Sequence, residues 1–408
     1  MQRVLVQELK CPGHCVPFAI DNVALLGSAG ARVRLVLNGA VRAHVEENFS
    51  ATLEKHEVDV HYIDPREFKY NSAETAAFEV DSARAHIDEW SPDRIILPTG
   101  DAVLRWLVDD SARQSVVLDG SLRWELMVHS LPASVPGIAP RPFMRWFISR
   151  RALDRFAGAR ILTPDPYSVI GPGRRWLSRR ARASIGLLPY TPPVLGEPVS
   201  RLEARRRLGL PEEGRLLVVP GAIDPRKAIV RLLKARPALE GILDGIVFAG
   251  PMAEVLKPIV KEARQGPGPT VHVIDRYLPG NDFLLPFHAA DVIWAVYPRW
   301  RGIASVQFVS ALLDRTCLVD VLHPSATWIA KGTTGCVTLR GSIPQAIIKA
   351  LESSGPSAGY VTWIRTLTAE APRRAVLLDG ARISSEEELE AFVSGGAGLP
   401  RVSSGQEP

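Results

Sequence analysis

Residues 218–235 read VVPGAIDPRKAIVRLLKA, and the reading of this stretch decides the fold. The apolar run Leu216–Val219 fits a buried strand that stops at Pro220–Gly221. Asp224–Pro225 then reads as a cap followed by a first helical residue. The helix predicted from that point carries Arg226 and Lys227 in its first turn. Cations there have the wrong sign, because unpaired N–H groups and the macrodipole already make a helix start positive. Without a compensating anion they cost a few tenths of a kcal/mol to ~1 kcal/mol. One reading is an anion site built from free N–H groups, the dipole end and two cations. The other is a solvated helix start with incidental charges.

Outward from this strand–turn–helix unit the alternation continues. Strands are predicted at 245–251, 270–275, 316–322 and 335–339, with a short helix and strand over 284–298 and helices over 305–315 and 343–352. Upstream, strands are predicted at Val4–Val6, 30–39, 58–64, 93–101, 115–120 and 159–165, separated by helical stretches. Strands alternating with helices predict an α/β fold with parallel, doubly wound sheets. The Pro-rich piece from Pro189 to Pro198 interrupts the pattern and reads as a connection between two similar halves. The expected division is 1–190, 199–354 and a helical tail at 355–408 whose end is disordered. Ligands in such sheets bind at the carboxyl ends of strands, and a cleft between two halves suits an active site.

With 46% hydrophobic and 23% charged residues, the 408-residue chain has an ordinary globular composition. No apolar run reaches the ~18 residues of a membrane span, and the N-terminus lacks a signal-peptide layout, so a cytoplasmic location is expected. Only 9 of the 49 basic residues are Lys. Eleven Arg fall between Arg141 and Arg182, against Asp154 and Asp165. Within it, RPFMRWFISRRALDRFAGAR suits a helix lying on an anionic membrane at the cytoplasmic face, near a lipid-linked acceptor. The alternative reading is a core-packed helix with a solvated basic face. Nucleic acid is not the expected partner, since Trp146 and Trp176 are too few to interleave an aromatic platform. CPGHC at 11–15 offers Cys11, His14 and Cys15, one ligand short of a structural zinc site, so no metal is expected.

The second half resembles the nucleotide-binding domain of the family-4 glycosyltransferases, which have the two-domain GT-B fold. Gly221 and Lys227 keep the spacing of that family's strand, Gly-Arg and Lys-Gly pattern. FAGP (248–251) fits the next strand and glycine turn. FHAADVIWAVYP (287–298) resembles its Ala-Asp strand, and RGIASVQFVSALLDRTCLV (301–319) its glycine loop and signature helix. The first half agrees in outline, from the glycine turn at Gly13 to ILTPDPYS (161–168). The resemblance implies two Rossmann-like domains facing a cleft, and sugar transfer from a nucleotide sugar to an unknown acceptor, with retention. No cofactor or metal is implied, because the protein supplies the positive charge.

Catalytic roles then fall to Arg226 and Lys227, which would hold the donor diphosphate, and to His129, near where family members keep a histidine facing the donor sugar. Donor contacts would come from Gly221, Gly250, Arg301, Gly302, Ser305 and Ser310, and acceptor-side contacts from Gly13, His14 and Asp101. For Asp101 the residue pattern also supports a plain helix cap. The departures are specific. Ala222 replaces the family's Arg, and both glutamates of its E-x7-E motif are missing: Arg301 precedes the glycine where the first would sit, and Ser310 occupies the second. A serine cannot hold ribose hydroxyls as a bidentate carboxylate does. A non-catalytic binding or scaffold protein on the same fold is therefore the competing expectation.

Overall fold

Among the described residues, seven parallel strands form the first sheet: β1 (Arg3–Glu8), β2 (Arg32–Asn38), β3 (Asp59–Ile63), β4 (Arg94–Leu97), β5 (Arg123–Met127), β6 (Ala159–Thr163) and β7 (Ile185–Leu187). Their order is β3-β2-β1-β4-β5-β6-β7. The second sheet has six described strands: β8 (Leu216–Pro220), β9 (Gly245–Ala249), β10 (Thr270–Ile274), β11 (Val292–Ala295), β12 (Cys317–Asp320) and β13 (Cys336–Leu339). Its order is β10-β9-β8-β11-β12-β13, again all parallel. The structure is a computed structural model. It describes the chain except residues 11–14, 69–72, 102, 105–122, 129–158, 191–196, 279, 299–303, 322–327, 330–335, 340, 354, 379 and 395–408.

Two compact units result. One comprises residues 1–190 with the C-terminal segment from Ala369, and the other Thr191–Thr368. The expected single tail is thus divided. The helix Ala358–Leu367 packs on Ser305–Leu312 in the second unit, whereas Glu370–Leu378 and Glu386–Val393 belong to the first.

The first unit holds this returning segment with two arginines of its sheet, Arg94 buried and Arg160 partly so. Arg94 Nη1 donates to the Leu377 carbonyl, and Arg160 to the Val376 (3.2 Å) and Ala381 carbonyls. Cations at the last carbonyls of Glu370–Leu378 also suit the negative end of its dipole. Glu125, on β5 and 0% exposed, gathers Arg94, Arg123 (2.8 Å) and Arg160 (3.4 Å).

In each sheet the chain runs outward on one side of the first strand and then resumes on its other side. The order therefore reverses between β1 and β4 in the first unit and between β8 and β11 in the second. Crevices at such reversals, outside the carboxyl ends of the strands, are where open α/β sheets bind ligands. The charged helix Arg201–Leu208, capped by Ser200 and closed by Gly209 at φ 65°, helps to seat β8. Its Arg205, 2% exposed, donates to Asp291 Oδ2 at 2.7 Å, and that same oxygen accepts from Leu216 N at 2.7 Å.

Candidate functional site

At the β8–β11 reversal, two glycine turns lie backbone against backbone. Gly221 follows β8 with φ 74°, and Gly250 follows β9 with φ 142°. A Cβ on Gly250 would come within 2.5 Å of the Gly221 carbonyl oxygen, so this approach requires glycine. Beyond it, Ile223 N donates to the Pro251 carbonyl at 2.8 Å and Ala253 N to the Ile223 carbonyl at 2.9 Å. Ile223 and Met252 then enter the apolar core of this unit.

The segment that follows differs from its sequence reading. Asp224 does act as a cap, but of a 3-10 turn, Pro225–Lys227. Ala228 then adopts φ 53° and ψ 33°, and the α-helix starts only at Ile229. The carboxylate of Asp224 accepts from Arg226 N (2.8 Å), Nε (3.1 Å) and Nη2 (2.7 Å). Burial works to raise the Asp224 pKa, but the bonds from Arg226 prevail and hold it below the usual carboxylate range. One of the two predicted cations is thus met by the cap residue, which the sequence argument left out of its count.

Lys227 turns the other way. It is 4% exposed, and its Nζ donates to the carbonyl of Pro220, at the end of β8. Burial pushes its pKa down to about 7, with Asp224 opposing and Arg226 assisting. Its own carbonyl accepts from Trp294 Nε1 at 2.7 Å, so β11 fixes the turn across the reversal. Tyr297, just past β11, is 9% exposed; burial, reinforced by Asp224, raises its pKa and keeps the phenol neutral. Trp294 and Tyr297 were not foreseen at this site. Their signal was position alone, within or just after one of the two strands that flank the reversal.

Ser305 opens the helix Ser305–Leu312, and Ser310 lies inside it, 0% exposed. Ser310 Oγ donates to the Val306 carbonyl at 2.6 Å, one turn back. Its hydroxyl hydrogen is thus committed within the helix rather than offered to a ribose. Gln307 on the same helix is also buried and donates to Tyr360 Oη at 3.0 Å. Arg301 and Gly302 lie outside the described residues.

The first unit carries a second constellation at its own reversal. Glu8 ends β1 and Lys10 follows it; Thr99 and Asp101 follow β4; Glu79 reaches in from the helix Ala73–Trp90. All five are at most 7% exposed. Lys10 Nζ donates to Glu79 Oε1 (2.5 Å) and to the Thr99 carbonyl (2.6 Å), and Thr99 Oγ1 donates to Glu8 Oε2 (2.6 Å). Burial pushes the Glu79 carboxyl up to about 7 against the pull of Lys10, with Glu8 and Asp101 adding to the rise. Burial lowers the Lys10 pKa, but Glu79 and Glu8 outweigh it and raise it overall. Three carboxyls around one ammonium therefore hold a spare proton near neutral pH.

Asp101 stands in the first helical turn; Gly100, whose carbonyl accepts from Leu104 N at 2.8 Å, occupies the cap position. Of the acceptor-side expectations, only Asp101 is brought into this cluster. Gly13, His14 and His129 lie outside the described residues. Among the described residues no group of His, Cys, Asp and Glu is placed to hold a metal ion, and no helix is long and apolar enough to cross a membrane.

No protein-family model matches the chain, and no curated protein matches it. Solved structures do. The chain is similar to sucrose-phosphate synthase from Thermosynechococcus elongatus, at 15% identity over 97% of this chain and 98% of that one, with a TM-score of 0.60. It is similar to Anabaena HepE, solved in complex with UDP-glucose, at 15% identity, 97% and 99% coverage and a TM-score of 0.58. A glycosyltransferase from Rickettsia africae gives 10% identity, 93% and 99% coverage and a TM-score of 0.56. With the two all-parallel sheets, these likenesses establish the architecture as the GT-B fold.

Proposed function

We propose that this chain is a glycosyltransferase that moves a sugar from a nucleoside-diphosphate sugar to an acceptor hydroxyl. The observation that carries the proposal is Lys227, held at the β8–β11 reversal beside the paired turns of Gly221 and Gly250. Solved neighbours with the same fold support it, HepE with UDP-glucose among them. In the reaction the bond from the anomeric carbon to the diphosphate breaks and one to the acceptor oxygen forms. The acceptor loses a proton, and negative charge grows on the departing diphosphate. A positioned ammonium and backbone N–H groups stabilise that charge more than they stabilise the bound donor. Lys227 takes this role, with Arg226 beside it at the rim, and no metal is invoked. In line with the family resemblance, transfer proceeds with retention and uses no carboxylate nucleophile. The acceptor is assigned to the β1–β4 reversal, where Asp101 is the most exposed member of the buried cluster.

Calorimetry over a panel of UDP, GDP and ADP sugars, with release of the nucleoside diphosphate as the activity readout, tests this reading. A correctly folded protein that binds none of the panel refutes it. One observation favours a second reading: the buried, internally bonded Ser310 stands where the family's ribose-holding glutamate would be. A non-catalytic binding or scaffold protein would bind a donor of the panel without transferring or hydrolysing its sugar.

A further inference from the structure

We infer that donor binding at the β8–β11 reversal is coupled to proton uptake by Lys227 Nζ. The inference rests on the reading of this crevice as a nucleotide-sugar site.

The geometry around Nζ is the basis. A protonated lysine has three hydrogens to donate. Among the described residues the amine has one acceptor, the Pro220 carbonyl, and it sits almost wholly out of water. Among the described residues no carboxylate lies within ion-pair distance of it. The nearest candidate, Asp224, faces Arg226 and is occupied by its backbone and guanidinium N–H groups. From β11 the neutral Trp294 indole donates to the Lys227 carbonyl and brings no charge to the turn. The charged groups that bear on Nζ are Asp224 and Arg226, which act in opposite directions, and burial outweighs both. A buried ammonium without a counter-charge sheds its proton, and Lys227 is accordingly brought to about 7.

A bound diphosphate supplies the missing counter-charge. Its anionic oxygens would accept the remaining N–H bonds and move Lys227 back toward the ordinary lysine value of about 10.4. The protonated fraction at pH 7.5 then rises from about one quarter to nearly one, an uptake of about three-quarters of a proton per site. Linkage fixes the direction of the pH effect. Affinity is greatest where the free amine is already protonated and falls about thirtyfold between pH 6 and pH 8.5.

The experiment is calorimetry of UDP-glucose, GDP-mannose and ADP-glucose at pH 7.5 in buffers of different ionisation enthalpy. These sugar diphosphates lack the phosphate ionisation near pH 6 that would add protons of its own. For whichever donor binds, the enthalpy should change with buffer ionisation enthalpy at a slope corresponding to about 0.7 proton taken up. Lys227→Arg, whose guanidinium never releases its proton, should bind with a slope near zero, and Lys227→Met should lose most of the affinity. Binding by the unmodified protein with no buffer dependence overturns the inference and leaves the donor-site reading standing. The same holds for unchanged uptake in a folded Lys227→Arg variant. Absence of binding by every donor overturns both.

Discussion

Replacing Glu125 by Gln tests what holds the C-terminal segment to the first unit. Glu125 is 0% exposed and is the carboxylate shared by Arg94, Arg123 and Arg160. Burial raises its pKa, but the three arginines prevail and hold it below the usual carboxylate range. Arg94 is itself 0% exposed, so loss of the carboxylate strands a charge that water cannot reach. Removing one partner of a buried pair costs about 3–5 kcal/mol, and Gln, which retains one carbonyl acceptor, belongs near the lower end. At about 2–4 °C per kcal/mol for a unit of this size, the transition of the first unit should fall by roughly 6–12 °C. Scanning calorimetry reads the shift. Hydrogen exchange should show that amides of 370–378 lose protection, since Arg94 and Arg160 donate to carbonyls in that helix and just beyond it. Because the folded pKa is depressed, the stabilisation from Glu125 is present above about pH 4.3, the unfolded glutamate value, and is lost as the pH falls below it. A variant that melts within 2 °C of the parent, roughly the calorimetric equivalent of less than 1 kcal/mol, with 370–378 fully protected, refutes this account.

Three further outcomes are expected. Gly250→Ala places a Cβ against the Gly221 carbonyl at a φ that L-residues rarely adopt, and should destabilise the second unit by about 3 kcal/mol; an unchanged melting temperature contradicts the close approach. Glu79 has a raised folded pKa, so its contribution to stability is full below its unfolded value and is lost as the pH rises through about 7. Denaturation of Glu79→Gln from pH 5 to 8 should show a shallower fall than the parent, and parallel curves exclude the spare proton. Arg175, Arg179 and Arg180 are exposed in the described part of the basic segment 141–182. Anionic vesicles at low salt should sediment more protein than neutral ones, and equal retention rules out a membrane surface there.

Where the sheet is apolar, the sequence was enough to place its strands. Runs such as LLVVP and GIVFA are buried on both faces, as parallel strands between helices must be. The helix Ile343–Glu352 lies where its apolar spacing put it. Strand β5, RWELM, escaped because Glu125 breaks the apolar run, and its burial depends on arginines distant in sequence. Strand β7 is three residues long and follows a basic helix, too short for any period to register. At the candidate site, Gly221, Gly250 and Lys227 were legible from spacing. The direction of the Lys227 side chain was not, since it follows from the left-handed Ala228 and from Arg226 pairing with Asp224. The cluster of Glu8, Lys10 and Glu79 was illegible for the same reason as Glu125: charges that satisfy one another inside a fold look like surface charges in a sequence.

The division of the first unit has a consequence for synthesis. Arg94 waits for the Leu377 carbonyl, 283 residues later in the chain. Between the two segments of that unit the whole of Thr191–Thr368 must emerge from the ribosome. At about 5–20 residues per second, this leaves the first unit incomplete for roughly 10–35 s, with Arg94, Arg160 and Glu125 formed into strands but not yet covered. The inserted unit has no such wait, because its strands and helices are contiguous in the chain. It is thus able to finish folding before the domain that began ahead of it. The nascent chain then carries a closed second domain tethered to a first one whose β4, β5 and β6 still lack their C-terminal partners.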